Sequence, residues 1–285
     1  MALEPYDHLS DADFNRLASF IHGYSGIKMP LSKKSMVEGR LRRRVRAVGA
    51  NSLDEYCDYL FTDDGIATEA ISLIDAVSTN KTDFFREPDH FRYLATEAVP
   101  ALIRQGLVGR SAPLKVWSAA ASVGAEAYTI AMVMRELADR QSPFRTQIVA
   151  TDICTEVLKT AVSGIYPHAM IAPVPEDMRH RYLMRGKGPM TGNVRMIPEL
   201  RAMVTARRVN LMERPYPVDR DMHVVFCRNI LIYFDRPTQA AVLTELCSHL
   251  LPGGYLFMGH SETLAGFNLP LRQVTATVFM REDGR

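Results

Sequence analysis

Net charge is nearly absent from this chain: 34 lysines and arginines against 32 aspartates and glutamates leave +2 over 285 residues. So small an excess does not by itself argue for a nucleic-acid partner, and any electrostatic function must come from local clustering. Long apolar runs are missing too. No stretch approaches the roughly 18 apolar residues of a membrane span, and "MALEPYDHLSDADF" carries four acids before any hydrophobic run. Neither membrane insertion nor a signal peptide is therefore expected. The four cysteines, Cys57, Cys154, Cys227 and Cys247, contain no C-x-x-C pair, which reads as buried thiols in a reducing cytoplasm, without disulfides or zinc. The string "GHSE" (259–262) holds the H-x-E of zinc deaminases but no P-C-x-x-C follows, so no metal is expected. Phosphate-cradling motifs are lacking as well. Neither G-x-G-x-x-G nor G-x-x-x-x-G-K-[ST] occurs, which disfavours a dinucleotide or a triphosphate.

What is present is an ordinary globular composition, 47% hydrophobic and 23% charged, long enough for about two domains of ~150 residues. From Asp11 to about Ile74 the pattern is helical. Phe14, Leu17, Ala18 and Ile21 recur at helical spacing, and Val37, Leu41, Val45 and Val48 form a second stripe ending near Gly49, a plausible left-handed cap. A third helix begins at "NSLDEYCDYL", with Asn51 or Ser52 as N-cap. Residues 1–75 thus read as a helical domain and 76–113 as a polar, aromatic-rich linker. From Leu114 strands alternate with helices: "LKVWSAA", "AEAYTIAMVMRELADR", "TQIVATD", "ICTEVLKTAVSG", then "ARRVNL", "MHVVFCRN", "TQAAVLTELCSHL", the turn "LPGG" and "YLFMGH". This order predicts an α/β domain over 114–285 with a mostly parallel sheet and helices on both faces. An interruption at about 165–206, centred on "GKGPMTGN", predicts an inserted β-hairpin. "RQVTATVFMRE" has the alternation of an antiparallel edge or hairpin strand.

In such a sheet, ligands bind beyond the C-terminal strand ends. Asp152 closes "IVATD", where a carboxylate can accept both hydrogen bonds of a ribose diol; as a helix N-cap it would be equally at home. The first turn, "SAAASVGAE", is built of small residues rather than glycines. That suits a ligand with a ribose and no phosphate, such as S-adenosylmethionine, approaching Ala119, Ala120, Ala121 and Ser122 closely without demanding left-handed backbone. Tight helix–strand packing would use the same alanines. After the fourth strand, Asn229-Ile230-Leu231-Ile232 lacks the N/D-P-P-Y turn that holds a flipped base, so a nucleic-acid acceptor is not expected.

"TNKTDFFRE" (79–87), "VWSAAASVGAEAYT", "ATDICTEVL", "VNL", "FCRNILIYFD" and "GGYLFMGHSET" occur in the order and spacing of CheR-type methyltransferases, which methylate glutamates of bacterial chemoreceptors. The resemblance covers nearly the whole chain. It implies a class I S-adenosylmethionine-dependent methyltransferase fold, Rossmann-like, with a small all-α N-terminal domain and an inserted antiparallel β-subdomain. It also implies S-adenosylmethionine as cofactor, S-adenosylhomocysteine as product, and a cytoplasmic, monomeric enzyme. By matching motifs, Asn80, Thr82 and Arg86 would cover the cofactor, Ala119 would wall it, and Glu126 and Asp152 would bind its polar groups. Asn210 and Leu211 would flank the adenine, Arg228 and Asn229 would close the far side, and Arg86 with Tyr233 would lie near the transferred methyl. A departure is alanine at 125 and 127, where the family carries glutamate and proline.

"EGRLRRRVRAVG" puts Arg40, Arg42, Arg43 and Arg46 on one helix, a solvated face or, as the resemblance implies, a dock for glutamate-rich receptor helices. Arg185, Gly186, Gly188 and Gly192 match the loop by which some relatives hold a receptor's C-terminal pentapeptide as an added strand; a plain β-turn would choose the same glycines. The opposing reading is a cofactor-binding adaptor without catalysis.

Overall fold

The computed structural model describes residues 8–140 and 144–282; the opening seven residues, part of the stretch read as lacking a leader, lie outside them. Four helices form the N-terminal layer: α1 (Asp11–Ser25), α2 (Lys34–Val48), α3 (Leu53–Leu60) and α4 (Asp63–Val77). Ser10 caps α1 by accepting from Asp13 N, and Ser52 caps α3 by accepting from Glu55 N, each satisfying an orphan amide. The stripe Val37, Leu41 and Val45 packs against Phe14, Leu17, Ile21, Leu53, Tyr56 and Ile74 in a separate core. Glu69 is buried there but paired, receiving Arg44 at 2.6 and 2.8 Å and the Tyr56 hydroxyl at 3.1 Å. α1 ends at Gly26 (φ 75°), where a Cβ would stand 2.8 Å from Met212 and 3.0 Å from Phe234. A glycine here lets the helical layer press against the loops that carry the site.

The linking segment contains α5 (Pro88–Tyr93), a π turn (Leu94–Ala98) and α6 (Val99–Arg104). Then come β1 (Leu114–Ala119), α7 (Ala125–Arg140), β2 (Thr146–Asp152), α8 (Thr155–Ser163), β3 (Ile165–Pro167), α9 (Glu176–Tyr182), β4 (Leu183–Arg185), β5 (Asn193–Met196), α10 (Pro198–Arg201), β6 (Val204–Arg208), β7 (Met222–Cys227), α11 (Arg236–His249), β8 (Leu250–Met258), β9 (Leu271–Gln273) and β10 (Val278–Arg281). The seven-stranded sheet has the order β6-β2-β1-β7-β8-β10-β9. It is parallel through β8, with β10 antiparallel to β8 and β9. Every residue of β7 is buried, as expected of a central strand covered on both faces.

Two readings need correction. The interruption holds a three-stranded antiparallel sheet, β3-β5-β4, not a hairpin alone, because the chain leaving α8 at Gly164 (φ 63°) pairs at once with β5. Its expected end at 206 runs into β6, an edge strand whose alternating half-exposed residues give little apolar signal. The last alternating run forms the expected antiparallel hairpin at the sheet edge, β9 and β10, folded back by a turn in which Val274 and Thr275 donate to Val278 O. All four cysteines are free and buried.

Candidate active site

A cleft opens at the C-terminal ends of β1, β2, β6 and β7, where the topology places it. Residues 77–83 and Arg86 form one wall, and Ser25, Ile27, Met29 and Lys33 of the helical layer reach it too. The segment is anchored by Phe84, fully buried and edge-on to Tyr166 at 5.0 Å, while Phe85 and Glu87 adopt φ 54° and 58°. Left-handed backbone at a phenylalanine and a glutamate is strain of the kind that collects at functional sites.

The turn after β1 corrects one expectation. Ala120 (φ 58°), Ser122 (φ 51°) and Gly124 (φ 86°) are all left-handed, at about 1–2 kcal/mol for each non-glycine residue. The offset comes from fixed partners: Ala121 N donates to Thr151 O (2.8 Å), Ser122 N to the Asp152 carboxylate (2.8 Å), and Ser122 Oγ to Asn80 O (2.8 Å). Ala119 is also displaced from its expected place. As the last residue of β1 its side chain belongs to the core cluster with Trp117 and Val225, and Ala120, Ala121 and Ser122 make the wall instead.

Asp152 lines the cleft and is buried, one oxygen accepting from Ser122 N and the other from Cys154 N at 2.9 Å. Burial pushes its carboxyl up, against the opposing pull of the Cys154, Ser122 and Ile153 amides. A carboxylate oxygen has about two acceptor sites, so one on each remains for ligand hydroxyls. That donor–acceptor chemistry fits a ribose diol.

Arg228 ties three parts of the site together. Its guanidinium is 2.9 Å from Glu87 Oε2 and 3.0 Å from Glu126 Oε2, and donates to Arg86 O at 2.5 Å. Glu126, on the first turn of α7, also accepts from Ser118 Oγ at 2.6 Å. Burial works against the Glu87 carboxylate, but the Arg228 charge and hydrogen bonds from Arg228, Asn229 and His260 hold its titration below the usual range. Arg86, one residue before Glu87, donates only to Lys81 O (3.4 Å) and pairs with no carboxylate among the described residues. An ion pair with Glu87 or Asp89, the plain structural alternative for Arg86, is thereby ruled out.

Glu262, of "GHSE", organises a cleft loop, a role not anticipated from the sequence. Its carboxylate accepts backbone amides from Gly259 (2.7 Å), Asn229 (2.9 Å), Ile230 (2.9 Å) and Leu231 (2.8 Å). It thereby shapes the loop holding Asn229 (φ 59°) and the 3-10 turn Leu231–Tyr233. Burial raises its carboxyl, opposed by those amides. Glu87, His90 and His260 bring ligand-type atoms within 4.8 Å of one another, but Glu87 already faces the Arg228 cation, which would repel a metal.

His90 is buried beside this network, with Nε2 2.7 Å from Thr277 Oγ1. Burial, reinforced by the nearby Arg228 charge, depresses its imidazole from 6.5 to about 4. Between those values the unfolded chain binds the extra proton. The stability carried by the neutral ring is therefore complete above 6.5 and lost as the pH falls toward 4. The loss should be on the order of 3 kcal/mol. Urea titrations across this range should show that slope, and His90→Gln should flatten it.

The remaining expected residues divide by what holds them. Asn80, Thr82, Leu211, Asn229 and Tyr233 all line the cleft. Tyr233 is half-buried with the Lys33 ammonium 5.6 Å from its ring centre, and no hydrogen bond to its hydroxyl is found among the described residues. Asn210 lines the cleft but its side chain is committed, donating to Tyr24 O and Glu213 and accepting from Met212 N. On α2, Arg43 and Arg46 are exposed and Arg42 is half-buried. Arg40 does not face outward as a dock requires: its Nη1 donates to Val77 O (2.6 Å) and Ser78 O (2.7 Å). In the inserted sheet Arg185, Gly188 and Gly192 are exposed. Gly186 is obligatory, because a Cβ would lie 2.1 Å from Met190 O.

Comparison with known proteins matches residues 80–280 to the family described as CheR methyltransferase, SAM binding domain. Residues 12–78 match CheR methyltransferase, all-alpha domain. Chemotaxis protein methyltransferase 2 of Pseudomonas aeruginosa is 38% identical over 272 residues, covering 95% of this chain and 94% of its own length. The chemotaxis protein methyltransferase of Salmonella typhimurium is 41% identical over 257 residues, 90% and 85% of the two chains. That of Escherichia coli is 40% identical over 257 residues, 90% and 86%.

Proposed function

The chain belongs to the CheR methyltransferase family, an S-adenosylmethionine-dependent class I fold serving chemotaxis, and from that premise we propose that it converts glutamate side chains of chemoreceptors to methyl esters. The observation that carries the reading is the pairing, in one cleft, of the buried Asp152 carboxylate with an Arg86 guanidinium that no acid among the described residues neutralises.

S-adenosylmethionine, when bound, supplies an electrophilic methyl on a sulfonium sulfur. A glutamate acceptor is ionised near pH 7, so no residue of the chain is needed as general base. Transfer would cancel the donor's positive charge and the acceptor's negative charge together, so residues that strongly stabilised either charge would oppose it. The residues therefore act by alignment and exclusion of water. Asp152 takes the ribose hydroxyls, Asn80 and Thr82 cover the ligand, and Leu211 with the backbone of Asn210 flanks the adenine. Arg228 and Glu126 brace the wall, with Asn229 closing its far side. Arg86 clamps and orients, and the Tyr233 hydroxyl donates to the acceptor carboxylate. Residues 1–75 present the acceptor, through Arg43 and Arg46 with Arg42 beside them, and 76–113 cover the cofactor.

The inserted sheet, with β4 (Leu183–Arg185) on its free edge, offers backbone for an added receptor strand beside Gly186, Gly188 and Gly192. Tethering of this kind raises local acceptor concentration without changing the chemistry. The enzyme acts as a cytoplasmic monomer. Radiolabelled S-adenosylmethionine incubated with receptor-bearing membranes tests both parts. Base-labile label on receptors is expected, and less of it on receptors stripped of their C-terminal pentapeptide. Cofactor binding without transfer would make the chain an adaptor, and equal labelling with and without the tail would remove the tether.

A further inference from the structure

α4 ends without a glycine: its cap, Ser78, is extended (φ −64°, ψ 145°). Helix C-termini leave their last carbonyls without intrahelical donors and carry a partial negative charge. At this end the cation comes from another helix. Arg40, in the second turn of α2, donates through Nη1 to Val77 O and Ser78 O at 2.6 and 2.7 Å. The chain leaving Ser78 enters the cleft wall at once, through Thr79, Asn80, Lys81 and Thr82. Asn80 is then pinned from the other side, its carbonyl accepting from Ser122 Oγ. Arg40 therefore fixes where the covering segment departs, and Ser122 fixes where it lands. On the same helix, three and six residues onward, Arg43 and Arg46 stand exposed.

We propose that Arg40 is a positioning residue that ties the cofactor-covering segment to α2, so that docking of an acidic receptor helix on α2 and occupancy of the cofactor site strengthen each other. The inference rests on the functional reading above for the identity of both ligands. Coupling of this kind is reciprocal: whatever factor the docked helix adds to cofactor affinity, the cofactor adds to docking. It runs through one guanidinium and two carbonyls, so it is separable from the direct attraction of Arg43 and Arg46 for acids.

Calorimetry on the full chain with S-adenosylhomocysteine, with and without a glutamate-rich receptor helix fragment, tests this. Arg40→Ala should weaken S-adenosylhomocysteine roughly ten-fold, the scale of hydrogen bonds from a charged donor, and the fragment should no longer improve that affinity. Arg40→Lys, which keeps a charged donor, should recover most of the loss; this recovery separates positioning from a general loss of fold. Arg43→Ala with Arg46→Ala should weaken the fragment and leave S-adenosylhomocysteine affinity without fragment unchanged. If Arg40→Ala binds S-adenosylhomocysteine like the unsubstituted chain while losing the fragment, Arg40 is a docking cation and the proposal is overturned. If the unsubstituted chain shows no improvement with fragment, the coupling is overturned. Failure of the unsubstituted chain to bind S-adenosylhomocysteine at all would instead sink the functional reading.

Discussion

Arg228→Ala is expected to lower the unfolding free energy by about 3–5 kcal/mol, the scale for breaking a buried ion pair, and to remove S-adenosylhomocysteine binding. The guanidinium side chain is only 3% exposed and faces two carboxylates, Glu87 and Glu126, that are themselves 12% and 13% exposed. Without it, two like charges are left together with little water. The burden falls on the penalty of unpaired charge more than on lost attraction, and this makes a second, sharper forecast. Arg228→Met combined with Glu87→Gln and Glu126→Gln should regain much of the stability in urea titration, because no uncompensated charge remains. Ligand binding should stay absent, since Arg228 also holds the Arg86 carbonyl and with it the covering segment.

Asp152→Asn carries the second large effect, with a different signature. The fold should survive, because the amide oxygen can still accept from one of the two backbone donors, Ser122 N or Cys154 N. Affinity should not. The charge-assisted bonds proposed between this carboxylate and two ligand hydroxyls would be worth roughly 1.5–3 kcal/mol each, so S-adenosylhomocysteine should weaken by roughly a hundred-fold or more in calorimetry. A modestly lowered thermal midpoint is expected alongside, measured without ligand, because one of the two backbone amides then faces the side-chain NH2 and loses its acceptor. Equal affinity in the variant would mean that Asp152 serves only the turn around Ser122.

How much of this was legible beforehand depended on whether the signal was periodic. The stripe of Val37, Leu41 and Val45, the caps at Gly49 and Gly164 (φ 78° and 63°) and the succession of buried strands follow from spacing and residue type. The segments after β1, β2, β6 and β7 also meet, since these strands are parallel and their C-terminal ends share one edge. What failed was local and three-dimensional. Arg40 sits in a run of arginines whose composition suggests solvent, yet a helix terminus passes close enough to claim it. Ala120 and Ser122 are left-handed although neither is glycine, because a carboxylate thirty residues later in sequence grips the Ser122 amide. Glu262 gave a weak signal, an acid after a glycine in "GHSE". Its four amide partners come from segments more than thirty residues away and from its own turn. Propensity and periodicity describe neighbours along the chain, and these contacts lie between elements.

The central claim is that the acceptor is a glutamate carboxylate. It is tested most directly by peptide mass spectrometry of a receptor's cytoplasmic helices after incubation with the enzyme and S-adenosylmethionine. The expected result is a one-methylene mass gain on glutamate residues, removed by mild base and absent when those glutamates are replaced by alanine. A base-stable methyl, or one on lysine or a backbone terminus, would contradict it.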